Sequence, residues 1–396
     1  MKKNISDTAL VSLPRYLNIP IALCLFPILQ DLLSSPHLSL YSLFLTLQAG
    51  IILFDLGLGR FLLTEEPDDF RFATYSSFIT IQILFALFSA VLLFVMWTIN
   101  IATDYIYVAF AFVARGLVHS CCLILLAERA YKKYAIVQLL SLTFGSVCLI
   151  LVPLFSPEYF PFSFLVQGGF TFALYIAVLS SFNFQFEKSF FGAIKLLSDA
   201  RFFVATTFVG VTNRVADRVF VGFYLGVDAF NLYVIINTVI QASGIFMDSL
   251  VPVFMREVMA NSSRKSRTSA FITFTQKNVP IASFLYLILI LLSICYLSMF
   301  IFQRSDNVSA LLFVFVTIAV ARYLKGFSGI IFGYLQLLRL ELWNFKLSVG
   351  VLFVYFLFLA GFASQLEIVG VALAVAAASI ITIVFQGLKL RSIHHG

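Results

Sequence analysis

From residue 9 onward the chain is a succession of long apolar stretches parted by short polar breaks. A helix needs about 20 apolar residues to cross the hydrocarbon core of a bilayer. Twelve stretches meet that length, near residues 9–32, 38–62, 74–99, 105–127, 135–154, 163–182, 200–224, 230–254, 279–302, 308–333, 343–362 and 366–388. Each predicts a transmembrane helix. Two longer polar segments interrupt the pattern. FNFQFEKSFFGAIKLLSDA (182–200) alternates bulky apolar with charged residues, which predicts a helix lying in the membrane interface. REVMANSSRKSRTSAFITFTQKN (256–278) is a basic loop that reads equally as a solvated linker. Neither can house a separate domain, so the chemistry must lie inside the membrane or at its surfaces. The start, MKKNISDTALVSLPRYLNIPIALCLFPILQ, has the basic head of a signal peptide. Pro14 and Arg15 interrupt its apolar run and no small-residue cleavage site follows, so it reads as a retained first helix.

Composition agrees with this pattern. Of 396 residues 61% are hydrophobic and 11% charged, against about 45–50% and 25% in soluble domains. The mean hydropathy is +1.01. Loop charges then orient the spans. With the N terminus in the cytoplasm, the inner side receives Lys2, Lys3, Arg71, Arg129, Lys132, Lys133, Lys188, Lys195, Arg264, Lys265, Arg267, Lys277, Lys389 and Arg391 among others. The outer connections (SSPH, NIATD, SPEYFP, GVDAF, QRSDN, SQLE) hold only Arg304. One miscounted span would invert this bias downstream, so the asymmetry supports twelve spans with both termini inside. Cys24, Cys121, Cys122, Cys148 and Cys295 lie in apolar runs at irregular spacing, the pattern of buried free thiols rather than of disulfides or a zinc site. His37, His119, His394 and His395 form no metal-ligand spacing, and no resident metal is expected.

The two halves of the chain resemble each other. QAGIILFDLGLGRF (48–61) and QASGIFMDSLVPVF (241–254) align without a gap through Gln48/Gln241, Ala49/Ala242, Ile52/Ile245, Asp55/Asp248 and Phe61/Phe254. Leu40-Tyr41 and Leu232-Tyr233 precede them at nearly the same offset. Coincidence between apolar helices is the competing reading. A true repeat would hold six spans, and an even unit inserts the same way up each time. The expected architecture is therefore an all-α integral membrane protein. Its twelve transmembrane helices form two six-helix lobes related by a pseudo-twofold along the membrane normal, with a shared cavity. The lobes would be residues 1–182 (helices 1–6) and 200–396 (helices 7–12), joined by a cytoplasmic interfacial linker at 183–199.

Charges inside the spans point to the chemistry. An ionised group at mid-depth costs at least ~2.5–3.5 kcal/mol, so such groups face a bundle interior or water. The seventh span contains Arg214, Asp217 and Arg218; at about 100° per residue the two arginines lie some 40° apart with the carboxylate beside them. Arg115 in span four has His119 one turn on and no acid at i±3 or i±4. Arg322 and Lys325 sit in span ten, Arg15 and Arg60 near inner helix ends, and Asp55 and Asp248 toward the inner ends of spans two and eight. Each has a structural reading. Arg214 and Asp217 could be an ion pair that fixes packing. Arg322, Lys325, Arg15 and Arg60 could snorkel to headgroups, and His119 could be a hydrogen-bonded packing residue. Asp55 and Asp248 could cap helix ends or carry protons. Taken together the cations outnumber the acids, which points to a cavity of positive potential. A guanidinium donates two parallel hydrogen bonds to phosphate, so an anionic, phosphate-bearing passenger would repay the desolvation. Arg115, Arg214, Arg218, Arg322, Lys325 and Arg15 are the candidate phosphate contacts. Asp55, Asp217 and Asp248 are the candidate coupling or structural carboxylates.

Three stretches resemble a known family. FDLGLGRFLL (54–63) resembles the end of the second helix of Wzx-type O-antigen flippases, in the multidrug/oligosaccharidyl-lipid/polysaccharide exporter superfamily. VADRVFVGFYLGVDAFNLYVI (215–235) resembles their seventh-helix pattern, and DSLVPVFMRE (248–257) the Pro-containing end of the eighth. The resemblance implies two six-helix lobes around a cationic cavity. It also implies a job in lipopolysaccharide biosynthesis, moving an undecaprenyl-diphosphate-linked oligosaccharide from the cytoplasmic to the periplasmic leaflet of a bacterial inner membrane. Asp217, Arg218 and Asp55 are the positions it matches. The implied partners are that lipid-linked glycan, membrane lipid, and a polysaccharide polymerase with its chain-length regulator. No nucleic acid is expected, and no cofactor beyond H⁺ or Na⁺ as a coupling ion. The chain has no GxxxxGK[ST] loop, so ATP is not expected to drive it directly. Two rivals remain. A multidrug exporter of the same superfamily would favour buried acids for cationic guests. An intramembrane polymerase would call for a substantial outer loop with catalytic residues. No enzymatic activity is expected.

Overall fold

The computed structural model of the chain describes residues 28–56, 71–127, 130–182, 189–244, 264–300 and 307–395, with a few isolated positions besides. Among the described residues all regular structure is helical. Hydrocarbon offers no water to unpaired backbone groups, so an apolar span closes its hydrogen bonds within itself. Helix α1 (Ser35–Ala49) ends at Gly50 and continues as a 3₁₀ turn, Ile51–Asp55. There follow α2 (Arg71–Thr98), α3 (Thr103–Ala127), α4 (Tyr131–Phe155), α5 (Phe160–Leu179), the short α6 (Ser189–Asp199), α7 (Arg201–Tyr224) and α8 (Val227–Ser243). Helices α9 (Arg264–Phe300) and α10 (Val308–Leu337) come next. The last helical run, Glu341–His395, is broken at Glu367 into α11 (341–366) and α12 (368–395).

Every expected span from the second to the twelfth has its helix; the first lies mostly outside the described residues. Eight helical runs are long and apolar enough to cross a membrane on those grounds alone. Helix α7 departs from that rule through its charges, and α8 through its length of 17 residues. The last candidate run, Glu341–Ile393, has 53 residues and would reach about 80 Å if straight, well over twice a hydrocarbon core. At Glu367 (φ 48°, ψ −128°) it reverses, and the backbone at Gly370 lies against that of Phe362 and Ala363. The chain is thus an all-α, multi-pass membrane protein.

Local chemistry sets the breaks. Pro36 occupies the first turn of α1 after an extended Ser34. The side chain of Asn307 accepts a hydrogen bond from the Ala310 backbone N–H at the start of α10. Gly226, between α7 and α8, has φ 89° and ψ 178°, a conformation essentially reserved for glycine. Within the helices, hydroxyls that would otherwise be stranded bond the carbonyl one turn back: Thr46 to Ser42, Thr80 to Ser76, Ser120 to Gly116 and Ser379 to Val375.

The chain divides into two compact units, residues 1–211 and 212–396, with the boundary inside α7. In the first, α3 is central and packs against α1, the 3₁₀ turn, α2, α4 and α5. Phe54 from the 3₁₀ turn sits in a core with Leu117, Val118, Cys121 and Tyr175. The break after α1 is held by Gln82 of α2, whose Nε2 donates to the Phe54 carbonyl at 2.7 Å. Helix α6 is amphipathic, as expected of an interfacial segment. Ala193, Leu196 and Ala200 bury against Phe78 and Ile79 of α2, while Phe191 and Ile194 stay exposed. In the second unit α10 is central, packed on α8, α9 and the α11–α12 run. Phe271 of α9 stacks on Tyr334 of α10, ring centres 4.2 Å apart, and Thr268 shares a 2.7 Å hydrogen bond with the Tyr334 hydroxyl. Cys121, Cys122 and Cys148 are buried free thiols, whereas Cys295 is exposed on α9; Cys24 lies outside the described residues.

Candidate functional site

In the second unit α7 has two faces. Phe223 (84% exposed) and Tyr224 look outward, whereas Arg218 is fully buried and Asp217 is 4% exposed. Residues 213, 214, 217 and 218 share one side because steps of three and four return to the same face. That side meets a polar stripe on α8, where Tyr233, Asn237 and Gln241 recur at intervals of four. The Tyr233 hydroxyl donates to Asp217 Oδ2 at 2.7 Å, and Asn237 Nδ2 donates to the same oxygen at 3.3 Å. Gln241 Nε2 in turn donates to Asn237 Oδ1 at 3.4 Å, and Oδ1 of Asp217 accepts from the Arg218 backbone N–H at 2.9 Å. Among the described residues, these donors to the carboxylate are neutral groups.

Helix α10 brings further cations to the same place. Arg214, Asp217, Arg322 and Lys325 line one pocket together with Asn213, Asn237 and Gln241. Arg322 is pressed against Gly244, where a Cβ would come within 2.8 Å of its Nε. Lys325 is in electrostatic reach of Asp217, Arg322, Arg214 and Arg218. Among the described residues, four formal positive charges (Arg214, Arg218, Arg322, Lys325) thus gather around one negative (Asp217), a balance of +3. The pocket holds about 30 Å³, room for a few waters or for an oxyanion in their place, and not for a sugar. Beside it the buried Tyr355 of α11 lies in electrostatic reach of Asp217, and its hydroxyl has no hydrogen bond among the described residues.

Of the residues singled out from the sequence, the structure thus gathers Arg214, Asp217, Arg218, Arg322 and Lys325 within the second unit. Arg115 belongs to the first unit: half-buried on α3, in electrostatic reach of Tyr41 on α1. Asp55, 4% exposed, ends the 3₁₀ turn of that unit. Arg15, Arg60 and Asp248 lie outside the described residues. Asn213 and Asn237 were not singled out as site residues; for Asn237 the recurrence of Tyr233, Asn237 and Gln241 at i, i+4 and i+8 on α8 is a legible signal. Tyr355 has no such signal.

No protein-family profile and no curated protein matches the sequence. Solved structures do match its fold. A mutant of the Vibrio cholerae MATE transporter VcmN is 12% identical, with 99% of both chains covered and a TM-score of 0.63. The MATE transporter ClbM in complex with Rb⁺ is 14% identical over 97% of this chain and 93% of that one, with a TM-score of 0.60. An outward-facing multidrug resistance MATE family transporter of the MOP superfamily is 12% identical over 98% and 96%, with a TM-score of 0.62. At such identities the likeness is one of fold: the chain has the two-lobed, all-helical MATE-type fold.

Proposed function

We propose that the chain is a transporter of the MOP superfamily that flips a lipid-linked oligosaccharide, joined to its polyprenyl carrier through a diphosphate, from the cytoplasmic to the outer leaflet by alternating access. The observation that carries this reading is the excess of cations in the pocket of the second unit, where Arg214, Arg322 and Lys325 face the single carboxylate of Asp217 among the described residues. Intramembrane charge of that sign is costly and is repaid by a guest of the opposite sign. A diphosphate diester brings about two negative charges at neutral pH, which the guanidiniums of Arg214 and Arg322 and the ammonium of Lys325 can bind through charge-assisted hydrogen bonds. The small pocket suits the phosphoryl end of such a guest and sets no demand on its sugars. Asp217, held by Tyr233 and Asn237, is then a fixed wall of the site, and H⁺ or Na⁺ coupling through Asp217 or Asp55 completes the proposal.

The test is surface glycan in a strain that lacks the chain. Complementation with Arg214→Ala, Arg322→Ala or Lys325→Ala, each at wild-type expression, is expected to lower surface polysaccharide at least about tenfold, the effect of losing one charge-assisted contact. Lys277→Ala, an exposed cation on α9, serves as control and restores it fully. Full glycan in all three variants would sink the cationic-pocket reading. A second reading, export of drugs, is favoured by the fold's likeness to a multidrug resistance MATE transporter. Drug sensitivity of the deletion strain with unchanged surface glycan would establish that reading instead.

A further inference from the structure

The two units repeat more than a stretch of sequence. Phe54 and Met247 occupy the same place in the gapless alignment of residues 48–61 with 241–254. In the first unit the Phe54 ring lies in a notch on α3 at Gly116, where any Cβ would run into it. In the second, Met247 lies in a notch on α10 at Gly326, where a Cβ would come within 2.7 Å of its own Cβ. Helices α3 and α10 are the fourth and tenth spans, six apart, and each is the central helix of its unit. The residue before each notch is a cation, Arg115 in VARGLV and Lys325 in YLKGFS. A tyrosine one helix away completes the match. Tyr41 on α1 is in electrostatic reach of Arg115, and Tyr233, its partner in the Leu-Tyr repeat, belongs to the network at Asp217. Both α1 and α8 end at a glycine, Gly50 and Gly244, just before the notch-filling residue.

The offset grows from 193 residues at the notch-filling positions (54 to 247) to 210 at the cations (115 to 325). The first residues of α2 and α9, Arg71 and Arg264, still keep the offset of 193, and most of the difference enters after them, through the greater length of α9 (37 residues against 28) and the later place of Lys325 on α10. Apolar helices coincide in sequence easily. They do not as easily coincide in sequence, in a glycine notch at the matched contact, and in a cation next to that notch. Matched interruptions in the two halves of a repeat transporter mark its binding positions.

We propose that Arg115, with Tyr41, forms within the first unit alone a second oxyanion position, the counterpart of the Lys325 position in the second. The inference rests on the anionic-guest reading above and extends it: the chain carries two phosphate-contacting positions, one in each unit. Arg115 contributes charge and a forked donor, and the Tyr41 hydroxyl a neutral donor.

Titration of the purified full-length protein with inorganic phosphate, followed by calorimetry, tests this. The wild type is expected to take two phosphates per chain. Arg115→Gln is expected to take one, the Arg214→Gln/Lys325→Gln double variant also one, and the triple variant none. Arg115→Lys keeps two and so separates a role in charge from a role in packing. Should Arg115→Gln fail to give a monodisperse protein, Tyr41→Phe is used instead, with one of the two sites expected to weaken about tenfold. A wild type that binds one phosphate, lost in the double variant and untouched by Arg115→Gln or Tyr41→Phe, overturns the second position and leaves the proposed function standing. A wild type that binds no phosphate overturns both.

Discussion

Asp217 is a buried carboxylate inside a ring of cations, yet a tyrosine and an amide hold its side chain. A hydrogen bond to a charged group contributes about 1.5–3 kcal/mol. Tyr233→Phe is therefore expected to destabilise the detergent-solubilised protein by about that amount, read as a lower melting temperature. Asn237→Ala, at a longer 3.3 Å, should cost less. If Tyr233→Phe melts with the wild type, the contact is not a real constraint on Asp217. The arginines of this site were readable in the sequence because a charge in an apolar run is conspicuous. Tyr233, Asn237 and Gln241 were half-readable, through their spacing of four. Tyr355 was not: it reaches Asp217 only because α11 packs beside α10, a contact that no local pattern encodes.

Helix lengths followed from the apolar runs, and helix ends less so. Span two was expected to run unbroken from 38 to 62, yet α1 stops at Ala49 and gives way to a 3₁₀ turn. The cause is non-local: Gln82, from α2, supplies the donor that the Phe54 carbonyl would otherwise seek in its own helix. At the α7–α8 junction the cause is local. Gly226 sits where an L side chain meets its own backbone, at a cost of about 1–3 kcal/mol. Gly226→Ala should lower the melting temperature of the purified protein while leaving phosphate binding unchanged, because its added methyl would meet no neighbour. Unchanged melting would mean that the turn relaxes at no cost.

At the scale of the whole chain, the loop charges predict that the turns at Asn100, Gly226 and Glu367 lie outside and those at Ala130 and Arg339 inside. Single cysteines placed at 100, 226 and 367 are expected to react with a membrane-impermeant maleimide added outside intact cells. Those at 130 and 339 should react only after lysis, and labelling of 339 from outside would displace the orientation. Much of the architecture was legible: the order of the helices from the second expected span to the twelfth and the all-helical, two-lobed fold follow largely from hydrophobicity and charge, which act residue by residue. The matching glycine notches were not, since they appear only once helices distant in sequence lie side by side. The reversal at Glu367 carries a practical consequence. Where two spans join through a single residue, little chain projects for a protease or an antibody to grip.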